Sequence, residues 1–116
     1  MMFPLESTEA ILLKSEELSL YKKLILQLNK DFLRANLSAV FSEDISPEDL
    51  KSQLHEIVTK LIDEQFSEYL NLLYIIDVSE EKIKQLNVDT SLNVIAQNVY
   101  LILLREWQKV WFKENY

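Results

Sequence analysis

Apolar residues recur along this chain at helical spacing, and the pattern predicts helices almost throughout. Leu18, Tyr21, Leu24, Ile25, Leu28, Phe32 and Ala35 fall on one stripe, with Lys22, Lys23, Lys30 and Arg34 opposite, interrupted by Leu26 and Leu33. Ser15, followed by Glu16 and Glu17, reads as the N-cap, and Asn36 as the residue that takes the left-handed conformation at the far end. Ser46-Pro47-Glu48-Asp49 is a sharper start. Ser46 can accept from first-turn amides, Pro47 loses nothing by lacking an N–H there, and the two acids face the positive end of the helix dipole. Behind it Leu50, Leu54, Ile57, Leu61, Leu72 and Ile75 continue the period to about Ile76, and past Phe66 little polar face is left. A helix apolar all round must be covered on most sides. This stretch, Ser46 to Ile76, reads as the element the rest is organised around.

Val78-Ser79-Glu80-Glu81-Lys82-Ile83 opens a short helix, Ser79 capping and Val78 stapling onto Ile83, which stops near Leu86. After a turn at Asn87–Ser91, in which Asp89 or Ser91 is the cap, Leu92, Ile95, Ala96, Val99, Leu103, Trp107 and Val110 form the last stripe, with Lys109 and Lys113 at its negative end. The pattern therefore predicts a single all-α domain. It is an antiparallel helical bundle of three long helices, about 15–36, 47–76 and 91–113, plus one short helix, about 80–86. Residues 1–14 read either as a short helical turn capped by Ser7 or Thr8, or as a loosely attached arm. The linker 37–45, carrying Leu37, Val40, Phe41 and Ile45, is expected to plug one end of the bundle. At 1.5 Å per residue the central helix would be roughly 45 Å long, longer than its neighbours, so its surplus turns need a cover inside the chain or from a second subunit.

Composition narrows the chemistry. There is no Cys among the 116 residues, which removes disulfides, thiolate catalysis and Cys-ligated zinc and fits a reducing, cytoplasmic setting. There is no Gly either, so phosphate cradles and hairpin turns that need φ > 0 or close backbone approach are disfavoured. A net charge of −7 disfavours nucleic-acid binding. No apolar run approaches the roughly 20 residues of a membrane span, and the first residues lack the basic and apolar segments of a signal peptide.

His55 is the only histidine, so His55-Glu56-Ile57-Val58-Thr59 falls short of the zinc-protease motif, whose second ligand would stand at Thr59. His55, Glu68 and Glu106 are nevertheless the candidate polar site. Glu68 and Glu106 fall at the edges of apolar stripes; buried together they would form an acidic pocket in which one pKa rises. The blander reading places each at a rim beside Arg105, a Lys or a Tyr hydroxyl. No metal and no cofactor is implied. The tail interleaves Trp107, Trp111, Phe112 and Tyr116 with Arg105, Lys109 and Lys113. Aromatic and Arg-rich surfaces are common at interface hot spots, which makes Leu70, Tyr74, Leu101, Trp111 and Phe112 the candidate interface. The basic face of Lys22, Lys23, Lys30 and Arg34 could dock an acidic partner.

The runs Asn71-Leu72-Leu73-Tyr74-Ile75-Ile76-Asp77-Val78-Ser79-Glu80 and Arg105-Glu106-Trp107-Gln108-Lys109-Val110-Trp111 resemble those of small uncharacterised helical proteins of bacteria. That resemblance covers the last two-thirds of the chain and implies a stand-alone bacterial cytosolic protein, with no activity and no site residues attached. The functional expectation is a non-catalytic helical protein–protein interaction protein that associates with itself, a homodimer being its simplest form. A small-ligand or enzymatic bundle with its pocket near Glu68 and Glu106 is the alternative.

Overall fold

A computed structural model describes residues 5–38, 40–85 and 91–116. Among the described residues all regular structure is helical: α1 (Thr8–Glu17), α2 (Tyr21–Arg34), α3 (Pro47–Glu64), α4 (Phe66–Ile76), α5 (Glu80–Gln85) and α6 (Ser91–Asn115). The predicted helix end at Leu86, the Asn87–Thr90 turn with Asp89, and the side chains of Ser91 and Leu92 lie outside the described residues.

Two predicted helices are in fact broken. The helix expected from Ser15 to Asn36 is α1 and α2. Ser15 is no N-cap but a fully buried residue inside α1, its hydroxyl donating to the Leu12 carbonyl at 2.7 Å. The N-cap of α1 is Ser7, whose Oγ accepts from the Ala10 amide at 3.0 Å. The chain turns at Ser19, held at φ 59°, with Leu20 N–H bonded to the Ser15 carbonyl. This break carries residues 8–17 back onto the body, so Ile11 (0 % exposed) and Leu12 (4 %) join the core and the loosely attached arm is replaced by a packed helix. The Tyr100 hydroxyl donates to the Leu5 carbonyl at 2.6 Å, which ties residues 5–7 to α6.

The expected 47–76 helix is divided at Gln65 (φ −143°, ψ 59°) into α3 and α4. Its start is built as the sequence implies: Ser46 Oγ accepts from the Asp49 amide at 3.1 Å and Pro47 occupies the first turn. A straight rod of about 45 Å would overrun the 35 Å longest dimension of the fold. The break instead lets each half bury its own stripe, Leu50, Leu54, Val58 and Leu61 on α3 and Tyr69, Leu72, Leu73 and Ile76 on α4. With no Gly in the chain, the left-handed positions among the described residues fall to Ser19, Asn36 and Asp77. Asp77 ends α4, its own amide and that of Val78 both bonding the Leu73 carbonyl.

The hub is α6 rather than the 46–76 stretch, since α1, α2, α3 and α4 all pack on it. Val99, Ile102, Leu103 and Trp107 are completely buried along its inner face. Between α2 and α3 the linker does fill the end of the core: Phe41 is 2 % exposed, meets Phe32 edge-on at 5.5 Å, and exchanges two hydrogen bonds with the Asn29 side chain. Val40 points to solvent. No helix among the described residues is long and apolar enough to cross a membrane.

Candidate functional site

Helices α2 and α6 lie antiparallel, as their side-chain pairs show: Lys23 with Glu114 at 2.6 Å, Gln27 with Lys113 at 3.4 Å, and Asp31 with Lys109 at 2.7 Å. The middle of this contact is the least ordinary place in the molecule. Asp31 and Glu106 are both 0 % exposed. Asp31 Oδ2 accepts from Lys109 Nζ and from Gln27 Nε2 at 3.1 Å, while Lys109 Nζ also stands 3.5 Å from Glu106 Oε1. Arg34 Nη1 approaches Asp31 Oδ1 at 3.9 Å.

Asp31 Oδ1 and both Glu106 oxygens have no fixed donor. Two fully buried carboxylates around one ammonium, with Arg34 reaching only Asp31, favour a proton on one of them, and on Glu106 it would supply the missing donor. Burial, then a hydrogen bond and repulsion from Asp31, push the Glu106 carboxyl from the ordinary 4.5 up to about 9 against the pull of Lys109. Burial alone would raise Asp31 too. The Glu106 hydroxyl, the Lys109 ammonium and the Gln27 amide outweigh it and hold Asp31 below its usual value. These shifts favour a neutral Glu106 beside an ionised Asp31, with the Lys109 ammonium reaching both.

Above this pair lies an open cavity of about 640 Å³ whose charged lining is cationic: Lys30 and Arg34 from α2, with Arg105, Lys109 and Lys113 from α6. Phe112 and Tyr116 form its aromatic edge, their rings 5.5 Å apart. Arg105 is held by Asp77 at 3.1 Å and by Gln108. The cavity shares Gln27, Lys30 and Lys113 with a 200 Å³ hollow that also touches Lys23, Leu26 and Val110, so the two are one groove along α2 and α6.

The other expected site residues are scattered. Glu68 is exposed on α4, and Glu106 meets Asp31 and Lys109 instead, so the acidic pocket expected between Glu68 and Glu106 is absent among the described residues. The rim reading also fails for Glu106, which is wholly buried. His55 is half-buried on α3 and lines a separate groove of about 890 Å³ against α1, together with Glu9, Glu16, Lys51 and Glu56. No cluster of three His, Asp or Glu side chains there or elsewhere among the described residues is arranged to hold a metal. Of the candidate interface, Tyr74 (81 % exposed), Leu70 (48 %) and Phe112 (45 %) face solvent, whereas Leu101 and Trp111 are buried. Leu101 packs inward because α6 is surrounded by other helices and has almost no free face at that level.

Asp31 was not among the sequence candidates, yet its position carried a signal. It falls three residues after Leu28 and four before Ala35, inside the apolar stripe of its own helix. Asn98 is a second such case: 2 % exposed, it accepts from the Tyr69 hydroxyl and donates to the Val94 carbonyl at 2.8 Å. Burial drives the Tyr69 phenol up to about 12, so this hydroxyl stays a donor.

Comparison with protein-family models, curated proteins and solved structures gives no match to this chain.

Proposed function

We propose that this protein is a non-catalytic helical interaction module of the cytoplasm that pairs with a second copy of itself through α4. The observation that carries the reading is the exposed stripe Phe66, Leu70 and Tyr74, spaced four residues apart on one face of the helix. Within Phe66–Ile76 the single charged residue is Glu68, and the neighbouring exposed positions include the neutral Ser67 and Asn71. In a chain of net charge −7, where copies repel one another overall, this stretch brings little charge to a contact. The stripe is also symmetric about Leu70. A two-fold axis through that residue would set Leu70 on its own copy and Phe66 opposite Tyr74 on both sides, as an isologous contact requires. A lack of cysteine supports the reducing compartment.

Three anchors make an interface below the roughly 1,200–2,000 Å² of stable complexes, so the expected dimer is weak and dependent on concentration. Sedimentation equilibrium from 5 to 500 µM (roughly the range in which weak pairs dissociate) tests the reading. The wild type should shift toward dimer as concentration rises, and Leu70→Glu should remain monomeric with unchanged circular dichroism. A wild type monomeric throughout, or a Leu70→Glu variant that still dimerises, refutes it.

A further inference from the structure

The groove between α2 and α6 has no part in that pairing and suggests a ligand of different character. We propose that it is a docking site for an extended acidic peptide segment of another protein, its carboxylates seated between Lys30 and Arg34 on one wall and Lys113 on the other, and its apolar side chains on Leu26 and Phe112. The groove concentrates positive charge in an acidic chain. Five cations border its wider part, while the ionised acids in contact with them are Asp31, which meets Lys109 and Arg34, and Asp77, beside Arg105. Glu106, being neutral, withdraws nothing further from that field. Lys30 and Lys113 are therefore left with charge to offer, Lys113 bonding the neutral Gln27 amide, while Arg34 is shared with Asp31 at 3.9 Å.

The shape favours a strand-like occupant. Cations stand at four-residue intervals along both helices, at 30 and 34 and at 105, 109 and 113, giving two facing rows. From Lys23, whose ion pair with Glu114 bridges the helices at one end, to Arg34 at the other is eleven helical positions, roughly 16 Å. An extended peptide covers that distance with about five residues. Exposed Leu26 (51 %) and Phe112 (45 %) offer apolar seats between the charges, which a free inorganic anion would not use. Electrostatic steering of this kind speeds association and weakens with salt.

Fluorescence anisotropy with a fluorescein-labelled six-residue peptide of alternating glutamate and leucine, at low and high salt, reads the site. Saturable binding that weakens severalfold at high salt is expected, with an alternating lysine–leucine peptide inert. Lys30→Glu combined with Lys113→Glu should reduce affinity at least tenfold. Both residues are exposed, so melting temperature should be unchanged. Lys22→Glu, on the outer face of α2, and Leu70→Glu, on α4, should each leave the peptide affinity unaltered, which separates this site from the pairing surface. Absence of binding at the highest soluble concentration overturns the proposal, as does binding indifferent to the Lys30/Lys113 exchange. Two other outcomes also overturn it: tripolyphosphate binding where the peptide does not, which makes the groove an inorganic polyanion site, and loss of self-association in the Lys30/Lys113 variant without any peptide binding, which makes its occupant a second copy.

Discussion

Replacing Glu106 by Gln should stabilise this protein at neutral pH, although Glu106 is one of its most deeply buried polar groups. The sign follows from linkage. A carboxyl whose pKa is raised on folding keeps its proton in the native state while the unfolded chain has released it, so stability falls with rising pH between the two values. Here those values are the ordinary 4.5 and about 9. Each unit of pH in that window removes about 1.4 kcal/mol. At pH 7 the penalty is therefore about 3 kcal/mol, a figure that requires only that the folded-state value lie above 7. Gln has the shape of the neutral acid. Its amide can donate to Asp31 as the Glu106 hydroxyl does, and it has no proton to lose.

Urea unfolding followed by circular dichroism at pH 5, 7 and 9 is the assay. Wild type and Glu106→Gln should nearly coincide at pH 5 and diverge by about 3 kcal/mol at pH 7, or about 10 °C in melting temperature. The wild type alone should lose stability steadily toward pH 9. Asp31 works in the opposite direction. Its lowered pKa adds stability that is present above the ordinary 3.8 and disappears as pH falls through the folded-state value. Glu68→Gln serves as the control: Glu68 is exposed, and its removal should change stability by less than about 0.5 kcal/mol at any of these pH values. Parallel pH profiles for wild type and Glu106→Gln would refute the shared proton. So would a Gln variant less stable at pH 7, because that would mean Glu106 is ionised and bound to Lys109.

Two further substitutions probe the framework that holds this site. Ser46→Ala removes the acceptor for the Asp49 amide and should reduce stability by about 1 kcal/mol in the same urea assay, with no loss of helical signal. Leu72→Ala empties a fully buried position on α4 and should reduce stability by about 2–5 kcal/mol; a loss below 1 kcal/mol would mean that α4 is not seated on the core.

Local sequence and tertiary structure decided different things here. The all-helical class, the Ser46–Pro47 start, the left-handed Asn36 and the buried stripes of α2 and α6 were all legible along the chain. Each depends on neighbours within one or two turns, where spacing and capping chemistry act directly. The breaks at Ser19 and Gln65 were not legible, because neither site carries Pro or Gly and the apolar period runs through both. A rod of about 30 residues over 47–76 would overrun the 35 Å extent of the fold, and the break at Ser19 returns residues 8–17 to the core. Long-range packing, which local spacing does not encode, puts Ile11 and Leu12 in the core and makes α6, rather than the 46–76 stretch, the hub. The acid pair was half legible. Asp31 inside one apolar stripe and Glu106 on another show that each helix buries a carboxyl, but helical spacing is silent on which helices face each other. Only the antiparallel packing of α2 on α6 brings the two acids to one lysine, far from Glu68. Their coupling, and the cationic groove above them, exist because of that contact.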